Sequence, residues 1–106
     1  RYGEATRIHE EILAHRLATG NRWDAAGSLT NLADVATAQG EFERALRLHE
    51  EAYALRVAEK DARGQMRSLR QIAGVLRRLG RSDEALARLR SAIEMTERIS
   101  GHELLG

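Results

Sequence analysis

Apolar residues recur along this chain at steps of three and four and never alternate strictly with polar residues. Spacing of this kind places side chains on one face of an α-helix. Between 22 and 39 the apolar stripe consists of Trp23, Ala26, Leu29, Leu32, Ala33 and Ala36, and between 62 and 80 it consists of Met66, Leu69, Ile72, Ala73, Leu76 and Leu79. We name these two segments A helices.

A second kind of helix, which we name B, alternates with the first. Its apolar stripes are Ala45, Leu48, Ala52 and Leu55 in one copy, and Ala85, Leu89, Ala92, Ile93 and Ile99 in another. Gly40 and Gly80 stand where a helix end favours glycine, and Asn21, Asp61 and Ser82 are predicted N-caps. The predicted order is B (3–19), A (22–39), B (42–59), A (62–79) and B (82–99).

An internal repeat of 40 residues explains the alternation. Comparing the chain with itself at that offset gives 16 identities among 66 positions, against roughly one in fifteen by chance. The matches begin with Ala5, Arg7, His9, Glu10, Glu11, Ala14, Arg16 and Ala18 against the residues 40 positions later. They continue with Ser28, Leu29, Ala33, Val35 and Gly40, and then with Ala45, Leu46 and Ala52.

These repeated residues resemble a known family. Residues 29–35, Gly40, Phe42, Ala45 and Ala52 look like the tetratricopeptide signature, in which small residues let paired helices approach closely. The second copy of the signature is Leu69, Gln71, Ile72, Ala73, Val75, Gly80, Ala85 and Ala92, and half of another copy includes Tyr2, Ala5 and Ile12. The resemblance implies one all-α domain over 1–106, a right-handed α-solenoid of antiparallel helix pairs with five helices.

The sequence also departs from the common form of this family. The usual repeat is about 34 residues long and closes with a proline, whereas the period here is 40 and the chain contains no proline. Such longer repeats are similar to those of spindle-orientation adaptors, kinesin light chains and the sensor arms of bacterial transcriptional and ATPase regulators. Ser82 replaces the usual aromatic residue, which predicts looser packing in the last helix pair.

Both ends of the chain predict a piece of a longer array. The first B helix has no A helix before it, and 101–106 corresponds to the start of another A helix. Helix faces left without a neighbour in a solenoid are apolar and need a cover. We therefore expect either self-association through the terminal repeats or further repeats in the parent protein.

Composition narrows the class of protein. Hydrophobic residues at 42% and charged residues at 31% are typical of a soluble domain, and no apolar run approaches the ~20 residues that span a bilayer. The lack of cysteine excludes disulfides and thiolate zinc sites. Lys60 is the only lysine beside many arginines, which hints at a GC-rich bacterial genome, and we expect a cytoplasmic protein.

Catalytic and metal-binding motifs are missing from the sequence. His9-Glu10-Glu11 recurs 40 residues later, but a zinc-protease helix needs a second histidine where Leu13 stands. His9 and His15 are six residues apart and face different sides of a helix. We interpret the histidines as partly buried in the helix interface, and we predict no enzyme activity, no cofactor and no metal.

Charge is concentrated in one A helix, although the net charge of the chain is only +1. Six arginines and no acidic residue lie between 63 and 81. In the tetratricopeptide family the A helices line a concave groove, and the resemblance maps Arg67, Arg70, Gln71, Gly74 and Arg77 onto it, with Gly27, Thr30, Asn31, Asp34 and Thr37 in the preceding A helix. The predicted peptide-binding residues are Asn31, Asp34, Arg67, Arg70, Gln71, Arg77 and Arg78.

Three classes of function fit these features. The first is a protein-interaction module, as the sensing or partner-recruiting arm of a bacterial regulator, whose arginines bind a protein or an acidic peptide. The second is nucleic-acid binding, against which stand the low net charge and the lack of aromatic residues beside the arginines. The third is a structural self-assembly module, in which the arginines are solvated and neutralised by Glu41, Glu43, Glu50 and Glu51.

Overall fold

The computed structural model describes residues 3, 6–12 and 22–105, with side chains described for 3, 6–12 and 25–99. Its helices are α1 (residues 6–12), α2 (Arg22–Ala38), α3 (Phe42–Ala58), α4 (Ala62–Arg78) and α5 (Ser82–Leu105). This part of the chain contains no strand, and the predicted all-α, helix-pair repeat fold is confirmed. Helices α2 and α4 are A helices, whereas α1, α3 and α5 are B helices.

The last helix is longer than the sequence pattern predicts. Helix α5 continues without interruption to Leu105, so the prediction of a new A helix starting at 101 is wrong over the described residues. The reason is that Gly101 stands at a position where the previous repeat has an N-cap residue. Its equivalent one repeat earlier is Asp61, whose carboxylate caps α4 by accepting the backbone N–H of Gly64 at 3.0 Å. Gly101 has no side chain to offer such a bond.

The other boundaries differ less from the predictions. Helices α2, α3 and α4 each end one residue before the predicted position. Of the predicted caps, Asp61 is an N-cap, whereas Ser82 is itself the first residue of α5 and the prediction for it is wrong. Asn21 and the predicted helical residues 13–19 lie outside the described part of the chain.

Three identical turns join consecutive helices. After α2, the N–H of Glu41 donates to the carbonyl of Ala36 at 2.8 Å and the N–H of Gly40 donates to Thr37 at 3.0 Å. The same pair of bonds follows α3, from Asp61 to Arg56 and from Lys60 to Val57, and follows α4, from Arg81 to Leu76 and from Gly80 to Arg77. This is the Schellman arrangement, which requires one residue in the left-handed conformation. Gly40 (φ 79°), Lys60 (φ 57°) and Gly80 (φ 76°) occupy that position at intervals of 20 residues.

Alanines and larger aliphatic side chains together form the contacts between consecutive helices. The central cluster combines Ala36, Ala45, Leu46, Ile72, Ala73, Val75, Leu76 and Ala85, all buried. Alanines at these contacts allow the helix axes to approach closely, as the family resemblance implies. The principal contacts join α2 to α3, α3 to α4 and α4 to α5. The molecule measures 47 × 36 × 16 Å, which is the shape of an open stack of helices and not of a closed bundle.

One charged side chain is buried between α3 and α4. Arg56 is a repeat-conserved residue of the B helix, and its Nη1 donates to the Oγ of Ser68 at 2.6 Å. Burial lowers the pKa of Arg56, the charge of Arg67 lowers it further, and Asp61 opposes both. Gln65 also donates to the carbonyl of Arg56 at 3.4 Å, so the start of α4 is fixed to the end of α3 by polar contacts.

The outer face of α5 has apolar residues without a neighbouring helix. Leu86 and Ile93 are 51% and 56% exposed. Their equivalents one repeat earlier, Leu46 and Tyr53, pack in or against the central cluster. The prediction that Ile93 belongs to the buried stripe is therefore wrong, because no described helix covers that side of α5 as α4 covers α3.

Replacing Lys60 by glycine should stabilise the protein by about 0.5 kcal/mol. A non-glycine residue in the left-handed conformation costs about 1–2 kcal/mol, and the larger entropy of glycine in the unfolded chain offsets part of that gain. Gly40→Ala is the matched control and should destabilise by about 1 kcal/mol, since its new Cβ meets no atom within 4 Å and the cost is one of backbone conformation. Urea unfolding of the three proteins measures both changes; equal stability of Lys60→Gly and the parent would contradict this account.

Candidate functional site

A hollow of about 210 Å³ lies between the two A helices and is closed below by α3. Helix α2 supplies Asp34 and Thr37, α3 supplies His49, and α4 supplies Gln71, Gly74, Val75 and Arg78. The repeat explains the arrangement. Two A helices lie on the same side of the B helix between them, so their exposed faces form the walls of a groove and the B helix forms its floor.

Two of the residues that line this hollow each have a buried polar atom without a hydrogen-bond partner in the described part of the chain. His49 is 2% exposed, and its Nδ1 makes no hydrogen bond to any described residue. The Oε1 of Gln71 is likewise buried without a partner. Leaving a buried polar atom unpaired costs about 1–3 kcal/mol, so two such atoms in neighbouring side chains are unusual in a folded protein.

Burial also decides the charge of His49. Removal from water lowers its pKa below the ordinary value of 6.5, while the nearby carboxylate of Asp34 raises it and the charge of Arg56 lowers it. Arg78 also lines the same hollow. The imidazole is therefore neutral at pH 7, with one ring nitrogen as a donor and the other as an acceptor.

The rim of the hollow has opposite charges on its two walls. Asp34 is an exposed residue of α2, and Arg78 is an exposed residue of α4. The guanidinium of Arg78 stacks over the ring of Phe42, with 5.6 Å between its Cζ and the ring centroid. Stacking uses the face of a guanidinium and leaves its N–H groups in the plane available for a ligand. The hydroxyl of Thr37 is already bonded to the carbonyl of Ala33 at 2.9 Å.

A second depression continues the first along α4. It is lined by Gly74, Arg77 and Arg78, so the two depressions share Gly74 and Arg78. Steps of four, three and four place Arg67, Gln71, Gly74 and Arg78 on one stripe of the helix. Arg67 therefore lies one turn before Gln71 on the stripe that borders the hollow.

The structure brings together only some of the predicted binding residues. Asp34, Gln71 and Arg78 line the hollow, and Arg77 lines the depression beside it. The remaining three, Asn31, Arg67 and Arg70, are exposed on the same helices outside the hollow. Sequence reasoning missed His49, because its place on an apolar stripe suggested a residue of the helix interface only.

Three of the arginines of α4 form no ion pair among the described residues that would help to hold the fold together. In the described part of the chain, Arg67, Arg70 and Arg77 form no ion pair. Two of the glutamates expected to neutralise them bind elsewhere: Glu50 pairs with Arg88 at 2.8 Å, and Glu41 pairs with Arg44 at 3.6 Å. Arg44 also pairs with Glu10 at 3.3 Å, so ion pairs link successive B helices. The positive charge of α4 is left facing solvent.

No three His, Cys, Asp or Glu side chains among the described residues converge in a way that could hold a metal ion. None of the helices in this part of the chain combines the length and apolar character that crossing a membrane requires.

Residues of α2 to α5 match a known protein family. A family model described as tetratricopeptide repeat matches residues 24–98, which are 75 of the 106 residues. The matched range begins in α2 and ends in α5, so it contains the hollow and both of its walls. A search of curated proteins found none that matches the chain.

Replacing His49 by phenylalanine should raise the free energy of unfolding at pH 7 by about 1 kcal/mol, because it removes an unpaired buried nitrogen and the hollow has room for the larger ring. The gain should increase on acidification. Below pH ~6.5 His49 becomes protonated in the unfolded chain but stays neutral in the folded protein, whose His49 pKa is lower. The parent protein therefore loses stability between pH ~6.5 and the folded pKa, by at most ~1.4 kcal/mol per pH unit. Urea unfolding between pH 8 and pH 5 measures this, and parallel pH profiles for the two proteins would contradict it.

Proposed function

Because the chain belongs to the tetratricopeptide repeat family, we propose that it is a protein-interaction module whose groove between α2 and α4 binds an extended acidic peptide of a partner protein. Repeats of this family mediate protein–protein interactions and are not a catalytic family. The groove and the arginine-rich wall lie inside the matched residues. The proposal therefore concerns what the groove recognises.

Three arginines of α4 that are unpaired within the described residues, Arg67, Arg70 and Arg77, are the observation that carries this proposal. An exposed cation with no acidic neighbour is fully available to a ligand, and it keeps its charge because the pKa of a guanidinium is far above neutral pH. Arg67, Arg70 and Arg77 share this condition, and Arg78 lies beside them with its N–H groups available. A carboxylate bound here replaces water and breaks no existing ion pair.

The geometry favours an extended ligand. The two depressions on α4 continue one into the other, and the arginine stripe runs along the helix for about three turns, or roughly 16 Å. An extended peptide rises ~3.3 Å per residue, so about five residues cover that distance and alternate side chains face the same wall. Carboxylates at alternate positions would each reach a guanidinium and form charge-assisted hydrogen bonds.

The wider role that we propose is that of a partner-recruiting arm in a cytoplasmic bacterial regulator. The support is the 40-residue period, which resembles the repeats of such regulators, together with the arginine-rich composition and the lack of cysteine. The family's dicarboxylate clamp is not part of this proposal, because Thr30 and Asp34 stand where that clamp needs lysine and asparagine. In this proposal the binding of an acidic ligand therefore depends on the arginines of α4 alone.

A fluorescein-labelled peptide of alternating glutamate and serine should bind the protein, and a lysine–serine peptide should not. The variant Arg70→Glu/Arg77→Glu should weaken binding of the acidic peptide by about 100-fold or more, because it removes two charge-assisted hydrogen bonds that contribute about 1.5–3 kcal/mol each. Fluorescence anisotropy gives the Kd values. If the double substitution does not change the affinity for the peptide, these arginines are only a solvated surface and the proposal is wrong.

The control for that measurement keeps the change in net charge and moves it to another helix. Arg90 and Arg98 are exposed residues of α5, so Arg90→Glu/Arg98→Glu should retain peptide binding within a factor of about two. Equal losses in both variants would mean that net charge, and not the groove, attracts the peptide. The same assay with a single-stranded RNA of mixed sequence tests nucleic-acid binding as the alternative function. RNA binding that falls steeply with rising salt concentration would support that alternative.

The exposed face of α5 favours a second use, self-association with another copy of this chain. Leu86 and Ile93 are exposed where their equivalents in α3 pack against a helix, and they lie seven residues apart on one face. Two copies of such a face can cover each other in a symmetric dimer. This use is compatible with peptide binding, because the groove lies between α2 and α4.

Sedimentation velocity at increasing protein concentration should show a shift from monomer to dimer. The variant Leu86→Asp/Ile93→Asp should remain monomeric, because it places two charges where the proposed contact is apolar. Ser91→Asp lies on a different face of α5 and should dimerise as the parent does. A strictly monomeric parent at all concentrations would dismiss this second use.

A further inference from the structure

The depression on α4 beside the hollow is lined by two cations and a glycine. Its lining residues are Gly74, Arg77 and Arg78, and its volume is about 400 Å³. A water molecule takes about 30 Å³ in the liquid, so a group of several atoms fits here. Neither arginine forms an ion pair in the described part of the chain. The depression is therefore a positively charged site with space for an anion.

Packing does not require the open space at Gly74. This residue lies in the interior of α4, where glycine is about 0.5–1 kcal/mol less favourable than alanine. An added Cβ would have no atom of a packed neighbour within 4 Å, whereas a Cβ at Gly64 would meet the side chains of Asp61 and Arg56. Gly74 thus leaves a gap beside the two arginines at a small cost in helix stability.

We infer that this depression binds a phosphate monoester on one side chain of the bound peptide. Such a phosphate has a charge of about −1.5 to −2 at pH 7 and three acceptor oxygens, so it can accept hydrogen bonds from two guanidiniums. The inference rests on the proposed function, since the phosphate arrives as part of an acidic peptide in the groove. It adds the chemistry of one residue of that peptide.

A carboxylate makes less complete use of this site. It has a single charge and two oxygens, which one guanidinium satisfies in a two-point contact, so the second arginine would remain without a partner. The neighbouring hollow suits a phosphate less well, because the carboxylate of Asp34 lines it and repels an anion. The pair of arginines and the double charge of a phosphate therefore match best at the depression.

The contact between Arg78 and Phe42 favours a phosphopeptide over a nucleic acid. The guanidinium of Arg78 lies over the ring, with 5.6 Å from Cζ to the centroid, and this contact reduces the side-chain freedom that is lost when a ligand binds. The same contact covers one face of the ring, which is then not available to stack a base. Each phosphate of a nucleic-acid backbone also has only one negative charge.

Two peptides of equal net charge test the site separately from the groove. In the first, the central serine of the glutamate–serine peptide is replaced by phosphoserine. In the control, the central serine is kept and two outer serines are replaced by glutamate. The parent protein should bind the phosphoserine peptide about tenfold more tightly, because its double charge is placed at one pair of arginines. Fluorescence anisotropy gives both Kd values.

Three variants locate the preference for phosphoserine on α4. Arg77→Gln/Arg78→Gln should reduce it to below about twofold. The matched control Arg67→Gln/Arg70→Gln removes the same charge and should weaken the binding of both peptides while keeping the preference. Gly74→Met fills the depression without a change of charge and should also remove most of the preference. Because methionine favours the helix and meets no neighbour at its Cβ, this variant should unfold in urea at no lower concentration than the parent.

The outcomes separate the site from the groove. Equal affinity of the two peptides for the parent overturns the phosphate site and leaves the acidic groove standing, whereas no binding of either peptide overturns both. A preference that survives Arg77→Gln/Arg78→Gln, or that both double variants lose equally, also overturns the site. A single-stranded RNA that binds more tightly than the phosphoserine peptide would assign these arginines to a nucleic acid instead.

The pH dependence of binding gives a second measurement. The second pKa of a phosphate monoester is about 6, so between pH 7.5 and pH 5.5 the phosphoserine peptide loses charge. The control peptide keeps its charge, because the pKa of glutamate is about 4.3. The preference for phosphoserine should therefore decrease over this range, and a preference that does not change with pH would overturn recognition of the doubly charged phosphate.

Discussion

Close approach of consecutive helices at alanine contacts is the constraint on which this structure depends. Ala36, Ala45, Ala73 and Ala85 are almost completely buried where neighbouring helices meet. The alanine side chains at these contacts are small enough for the backbones of neighbouring helices to pack against each other. The polar residues of the A helices remain outside these contacts. A groove between α2 and α4 follows, since both A helices pack on one side of α3. Larger side chains at these positions would separate the helices and alter the hollow.

The repeat made the fold readable from the sequence, because every element occurs twice in a comparable context. Periodicity predicted the helices, and Gly40 and Gly80 predicted two of the three turns. Lys60 could not be recognised as the third, since nothing in its side chain signals the left-handed conformation that the turn imposes. The predictions for Gly101 and Ile93 were wrong because the repeat predicts the same environment as one repeat earlier. Helix α5 instead continues through Gly101, and Ile93 is exposed.

The site was less predictable than the fold. Asp34, Gln71 and Arg78 were identified because they sit on exposed faces of A helices, where periodicity separates them from the core. His49 occupies a buried position of a B helix, and sequence alone gives no sign that its Nδ1 is buried without a hydrogen-bond partner among the described residues. Whether a buried polar atom of α3 has a hydrogen-bond partner depends on how α2 and α4 pack around it. Only the structure shows that packing.

The equal length of helices α2, α3 and α4 has a consequence for how such a chain can change over evolution. Helices α2, α3 and α4 each contain 17 residues and each ends in the same turn. One residue inserted within a helix would rotate everything beyond it by about 100° and expose the alanines that touch the next helix. Duplication or loss of a complete 40-residue unit preserves every contact inside the units that remain. Growth of the array is therefore expected to proceed in whole units, with single-residue insertions confined to the turns.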